Sequence, residues 1–235
     1  MLDNINIENI LFLDIETVPA ARTYKEMETK FQKLWVHKAE RIKQKEEDTP
    51  ETLYNRAGIY AEFGKIVCIS TGFFTSEQFR VKSFFGDDEK SLLFEFAQLL
   101  NRLNKPDQKL CAHNGKEFDF PYLCRRMIIN NIKIPALLNL SGLRPWETPH
   151  IDTMELWKFG DYKNYTSLDL LSAVLNIPTP KDDINGTEVA RVYWEEKNLS
   201  RIVKYCQKDV ITLAQLILRF KNLPLLTDQQ IIIVQ

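Results

Sequence analysis

The sequence predicts an α/β fold, a mixed sheet with helices packed on it. Three observations lead there. Short apolar runs bounded by polar residues or glycine fall at 10–13, 65–71, 78–85 and 109–112, the pattern of buried strands. Longer segments between and after them carry apolar residues at helical spacing. Three strands come in succession, and the fourth alternates with helices, an order suited to a layered α/β architecture.

Taken in order, the first run, Ile10 to Leu13, stops at Asp14 and reads as a buried strand. A stretch of about 40 residues then lies between it and the second strand, whereas hairpin loops usually have about 2–5. This stretch, Ala21 to Ala61, is rich in Lys, Glu and Arg, and places Met27, Phe31, Leu34, Trp35 and Ile42 at helical spacing. It predicts an inserted, charged amphipathic arm of one or two helices, covering the sheet edge or guiding substrate; mixed charge does not separate the two. Lys65 to Thr71 and Gln78 to Phe85 are the second and third strands. Asp87 is placed to cap a helix over about 88–103 whose apolar positions are Leu92, Leu93, Phe96, Leu99, Leu100 and Leu103. Lys109 to Ala112 is a fourth strand before a His-Asn-Gly turn. Phe120 to Asn130 reads as a helix with Pro121 in its first turn. Ile151 to Phe159 is a short helix or a strand end, and Ser167 to Asn176 is a helix stopped by Ile177 and Pro178. Ser200 to Phe220 is a long helix with Ile202, Val203, Cys206, Val210, Leu213, Leu216 and Ile217 on its apolar side. The tail from Leu225 ends in Ile231 to Val234, which is either a strand packed on the body or a segment that docks a partner. No repeat or linker breaks the chain, so residues 1–235 are expected to form one domain.

Composition bounds the function. The 235 residues carry 31 Lys plus Arg against 32 Asp plus Glu, a formal net charge of −1. A domain that binds nucleic acid by bulk basicity is therefore not expected. Cys68, Cys111, Cys124 and Cys206 form no CxxC pair, and His37, His113 and His150 are scattered. Buried free thiols in a reducing cytoplasm are expected rather than disulfides or a zinc site. The first nine residues lack a basic n-region, and no apolar run reaches bilayer-spanning length, so neither a signal peptide nor a membrane partner is expected.

The chemistry lies in carboxylates. Asp14 and Glu16 follow the first strand directly, and residues i and i+2 of an extended chain point to one face. Two carboxylates held together raise each other's pKa, and a divalent cation with a preference for hard oxygen ligands resolves the conflict. Alone, such a pair is also an ordinary acidic loop. A second segment, His113 to Leu123, places Asp119 where a strand and turn run into a helix; Asp there is also a common N-cap. In it, Asn114 closes a turn or meets substrate, and Phe118 and Phe120 serve core packing or base stacking. In the third segment, Tyr205 and Asp209 are i and i+4 on the long helix and share a face. Asp152 is a further acid, read as a helix cap or a support for the metal shell.

Together the three segments resemble the exonuclease motifs of the DEDD superfamily. The likeness is to its tyrosine-bearing DEDDy subgroup, and is closest to the 3′→5′ proofreading exonuclease domain of family-B DNA polymerases. Leu13 to Thr17 (LDIET), Asn114 to Leu123 (NGKEFDFPYL) and Tyr205 to Asp209 (YCQKD) are the matching residues. The resemblance runs from about Ile10 to Phe220. It implies an RNase H-like mixed sheet, three antiparallel strands then parallel strands, flanked by helices, with the helical arm inserted after strand one. A family-B polymerase is far longer, so a stand-alone relative is expected.

The resemblance further implies hydrolysis at the 3′ end of single-stranded or frayed DNA, releasing nucleoside 5′-monophosphates with two divalent metal ions, Mg²⁺ or Mn²⁺. Asp14 would bridge both metals, Glu16 and Asp209 would complete one, and Asp119 would hold the other. Tyr205 would orient the attacking water or the phosphate, since a phenol of pKa about 10 is a poor base at neutral pH. Asn114, Phe118 and Thr17 are expected to bind substrate, and Lys116, Arg125, Arg126 and Lys208 are candidates to grip the strand. Metal supplies positive charge at the site, so a near-neutral chain is compatible with a polyanion. Two other readings stay open on sequence. One is an exoribonuclease of the RNase D type, which differs by contacts to the 2′-OH. The other is a catalytically silent module that binds nucleic acid or protein.

Overall fold

The computed structural model describes residues 2, 4–76, 78–103, 107–161, 163, 165–178 and 184–234. Among them, six strands form one sheet in the order β5-β4-β1-β2-β3-β6. Strands β1 (Ile10–Pro19), β2 (Gly64–Phe74) and β3 (Phe79–Phe85) pair antiparallel in succession, β1 with β2 and β2 with β3. Strand β4 (Lys109–Ala112) is parallel to β1, and β5 (Ile151–Asp152) is parallel to β4. The tail strand β6 (Ile231–Val234) adds in parallel to β3. The mixed sheet and its flanking helices follow the expected architecture.

β1 is longer than its apolar run. The ladder continues through Asp14, opposite Ser70, and Glu16, opposite Cys68, and shifts register only between Glu16 and Thr17. Asp14 and Glu16 therefore lie within the strand and not after it. Backbone pairing to β2 carries the strand through the acids, beyond the point at which the β4 ladder ends at Phe12. The alternation of β1 divides the core. Leu11, Leu13 and Ile15 pack with α3 (Glu89–Arg102) and α4 (Asp119–Ile129). Ile10 and Phe12 pack against α8 (Leu199–Phe220). Asp14 and Glu16 have the parity of Phe12 and so face α8. All seven apolar positions anticipated for α8 are buried.

Local capping explains most boundaries. Asp88, not Asp87, caps α3, accepting hydrogen bonds from the backbone amides of Lys90 and Ser91 at 3.1 and 3.3 Å. Asp87 instead accepts from the Tyr193 phenol. The 151–159 segment is both things expected of it: β5, then α5 (Thr153–Lys158), capped by Asp152. Ser167 caps α6 (Leu168–Val174). A short helix α7 (Val189–Trp194) was not expected, because six residues give periodicity too little length to register.

The inserted arm is α1 (Thr29–Ile42), α2 (Pro50–Leu53) and a 3-10 turn, Tyr54–Ile59. It does not cover a sheet edge. The edges are β5 and β6, whereas the arm sits at the far end of the central strand β1 and closes on its own small core. Trp35 is fully buried there with Met27, Ala39, Leu53, Tyr54, Ala57 and Phe63, and its indole N–H donates to the Pro50 carbonyl at 2.7 Å. Phe31 and Leu34, placed on this face by spacing, are exposed, because the small core has no further layer to receive them. Gly58 joins arm to strand: a Cβ there would lie 3.0 Å from the Val18 carbonyl carbon, so a side chain would push the arm's turn a few tenths of an ångström off β1.

A buried ionic hub fastens these parts. Glu89 accepts from the Ile66 amide at 2.7 Å, from Arg126 Nε at 2.8 Å and from Asn130 Nδ2 at 3.0 Å, and pairs with Arg126 Nη2. Arg126 Nη1 donates to the Ala61 carbonyl at the base of the arm, at 2.7 Å. Arg126 therefore does not grip a strand, as sequence suggested; its place on the buried face of α4 commits it to Glu89. Replacing Glu89 with alanine strands this guanidinium. The variant is expected to lose about 3–5 kcal/mol, measured as a lower urea midpoint at an unchanged m-value.

Candidate active site

The chain brings its acids together from three directions. Asp14 and Glu16 come from β1, Asp119 from the first residue of α4, and Tyr205 and Asp209 from one face of α8. Glu16 and Asp119 are buried at 7% and 3% exposure, and Asp14, Tyr205 and Asp209 are half-buried. Asp119 is not a simple helix cap. Phe118 holds the N-cap position, and the backbone amides of Asp119 itself and of Ile15 in β1 lie close enough to favour the ionised Asp119 carboxylate. The second motif thus lies against the first.

Crowding dominates the electrostatics. Burial pushes the Asp14 and Glu16 carboxyls well above the usual carboxylate range. Asp209 and Asp119 add to this at Asp14, and Asp14 and Asp209 add to it at Glu16. Burial likewise raises Asp119 to about 7, with Asp152 and Asp209 adding to it. The Tyr205 phenol is pushed up by burial, then by Asp209, Glu16 and Asp14, so it stays protonated at neutral pH. The main influences on these groups are burial and neighbouring acids. Such a set of hard oxygen donors fits divalent cations.

Cys206 also lies at the site. Its thiol is 3.4 Å from both the backbone oxygen and Oδ2 of Asp14. One ligand atom each from Asp14, Glu16 and Cys206 lies within 4.8 Å of the others. Sequence reasoning assigned Cys206 to the apolar stripe of α8. The available signal was its spacing, three residues before Asp209 and so on an adjoining part of the same face.

Support comes from the His-Asn-Gly turn after β4. Asp152 accepts from the amides of Asn114 and Lys116 at 3.0 and 3.1 Å while capping α5 through the Met154 and Glu155 amides. It acts as cap and clamp together. Asn114 adopts a left-handed conformation, φ 59°. Gly115 permits the tight turn, since a Cβ would come within 2.4 Å of the Ala112 Cβ. Asn114 Oδ1 is buried and, among the described residues, has no hydrogen-bond partner. His113 bridges the Thr153 hydroxyl and the Thr166 carbonyl at 2.8 and 2.9 Å.

Phe118 is half-buried against Tyr122, ring centroids 5.3 Å apart, and Phe120 is fully buried against His150. Thr17 hydrogen-bonds the Tyr122 phenol, which donates to the Gly58 carbonyl at 2.7 Å. Lys116, a candidate grip, is paired with Glu155 at 2.7 Å and its side chain is 13% exposed. Arg125 is exposed on α4, and Lys208 is half-buried on α8.

Asp119 titrates with a known sign. Its folded pKa of about 7 lies above the ordinary 3.8. In metal-free protein its contribution to stability is therefore full below pH 3.8 and lost as pH rises to about 7. Asp119→Asn removes that loss. In EDTA, thermal melts are expected to show the variant gaining on wild type across this window and levelling off above it; a difference independent of pH would contradict the assignment.

Two comparisons with known proteins bear on the fold and the family. A solved structure of the family B DNA polymerase from the hyperthermophilic archaeon Pyrobaculum calidifontis shares the fold, with a TM-score of 0.52 at 14% identity over 89% of this chain. The chain spans only 24% of that polymerase. A family model described as a predicted 3′-5′ exonuclease related to the exonuclease domain of PolB matches residues 59–230. That span takes in Asp119, Tyr205 and Asp209; the strand carrying Asp14 and Glu16 precedes it, and the fold supplies their convergence. The match covers most of the chain, and the chain belongs to this family of predicted PolB-related 3′-5′ exonucleases.

Proposed function

We propose that the protein is a metal-dependent 3′→5′ exonuclease that hydrolyses the terminal phosphodiester of single-stranded or frayed DNA and releases nucleoside 5′-monophosphates. The observation that carries this reading is the convergence of Asp14, Glu16, Asp119, Asp209 and Tyr205, with Asp14, Glu16 and Asp119 driven toward protonation by burial and by neighbouring acids. Two divalent cations, Mg²⁺ or Mn²⁺, held by the four carboxylates, would supply Lewis-acid neutralisation of the phosphate and lower the pKa of a bound water.

The chain's own groups divide the remaining work. Asp14, central in the set, would hold the metal ions together with Glu16, Asp209 and Asp119. Tyr205 keeps its proton and donates a hydrogen bond to the attacking water or a phosphate oxygen, fixing its direction. Phe118 offers a ring to the terminal base. The orphaned Asn114 Oδ1 is a buried acceptor available to a substrate donor, and Thr17 lines the approach. The buried thiols Cys68, Cys111 and Cys206 accord with a reducing, cytoplasmic setting.

Incubation with 5′-labelled single-stranded DNA tests the reading. Wild type with Mg²⁺ or Mn²⁺ is expected to give a ladder shortened from the 3′ end, and none with EDTA. Asp14→Ala is expected to lose all detectable activity. Tyr205→Phe should bind metal normally yet turn over roughly 10²-fold more slowly. An inert wild type with either metal would overturn the proposal.

A further inference from the structure

A cleft of about 1090 Å³ opens directly from the site. Ile15, Glu16, Thr17 and Phe118 line its floor. One wall is the arm, through residues 22–25 and 51–59, and the other is the segment from Gly186 through α7 to Glu195. Its volume exceeds the roughly 300–1,000 Å³ usual for small-molecule pockets, so it suits the end of a polymer.

The two walls differ in charge. On the α7 side, Arg191 is held by Glu188 and Glu196. On the arm, Lys25 pairs with Glu51 at 3.3 Å. Arg22 and Arg56 are exposed, and among the described residues neither has an ion pair or a hydrogen bond. The arm therefore presents two uncommitted guanidinium groups to a cleft that ends at Glu16. They are also fixed in relation to each other. The Tyr54 phenol accepts from the Ala21 amide and donates to the Ala21 carbonyl, both at 3.2 Å. This lashes the residue before Arg22 to the turn that carries Arg56. The arm's own core, with Trp35 at its centre, makes that lip rigid. The opposite wall is anchored as well: Lys65 donates to the Tyr193 phenol at 2.8 Å, and the Trp194 indole donates to the Pro19 carbonyl at 3.1 Å.

We infer that the inserted arm is the substrate-holding wall of this enzyme. Arg22 and Arg56 take consecutive phosphates of a single-stranded DNA and lead its 3′ end over Phe118 to the acids. Guanidinium groups match phosphate geometry, and positive grooves with aromatic platforms are the general means of holding single strands. This assignment rests on the exonuclease reading and refines it: Lys116 and Arg126, near the motifs, are committed to Glu155 and Glu89, and the arginines that meet substrate come from the insertion.

The test compares wild type with Arg22→Glu/Arg56→Glu on two substrates, a single-stranded oligonucleotide and the small chromogenic ester thymidine 5′-(p-nitrophenyl phosphate). The ester needs the acids but does not reach the arm. The double variant is expected to hydrolyse the ester at the wild-type rate, with a KM for the oligonucleotide raised about tenfold or more and an unchanged kcat. The slope of log affinity against log salt should fall by about 1.4, since each single-strand contact contributes about 0.7. Unchanged KM and salt slope in an active enzyme would overturn the role of the arm and leave the exonuclease reading standing. If wild type hydrolyses neither substrate, the exonuclease reading fails by itself; anisotropy of labelled single-stranded DNA then decides for the arm, and equal binding by both proteins overturns it.

Discussion

Acid crowding on the central strand is the constraint around which this molecule is built. Asp14 and Glu16 sit in the stretch of β1 that pairs with β2 just beyond the end of the β4 ladder, where burial leaves little solvent to relieve their charge. Asp119 and Asp209 are then added from two helices. Desolvating a carboxylate costs several kcal/mol even after relaxation, and like charges increase that cost. Such an arrangement persists only where the surrounding structure over-determines it, which is the usual sign of a functional site.

The over-determination is visible at the junctions. Asp152 fastens the turn before α4 while capping α5. The Ile15 amide of β1 lies close to the Asp119 carboxylate. Glu89 and Arg126 join β2, α3, α4 and the base of the arm. Each polar group is buried, and each has partners drawn from more than one element. Gly58 and Gly115 serve the same end by letting backbone come close where a side chain would keep it away.

Charge is distributed by the same logic. A chain with a formal charge of −1 has little positive potential to spare, and two of the cations nearest the motifs are spent inside the fold on Glu89 and Glu155. Arg22 and Arg56 stand on the arm, where exposure keeps them solvated and available. Neutral overall composition therefore coexists with a locally positive lip beside a strongly acidic site.

Much of this was legible in the sequence. The period of α8 gave its buried face because a helix of 22 residues repeats its pattern many times. The spacing of Asp14 with Glu16, and of Tyr205 with Asp209, gave shared faces because backbone geometry alone dictates them. The full length of β1 was hidden, since acids in a strand look like its end until β2 is seen to pair with them. α7 was too short for its period to show. Whether Arg126 and Lys116 meet substrate or Glu89 and Glu155, whether Cys206 lines the core or the site, and whether the arm lies on a sheet edge or at the end of β1 were settled only by the tertiary structure. Sequence by itself determined which residues lie on which face of each element, because that is local geometry. Tertiary structure decided which faces meet, because a side chain's partner is chosen by long-range packing that leaves no trace in the local pattern.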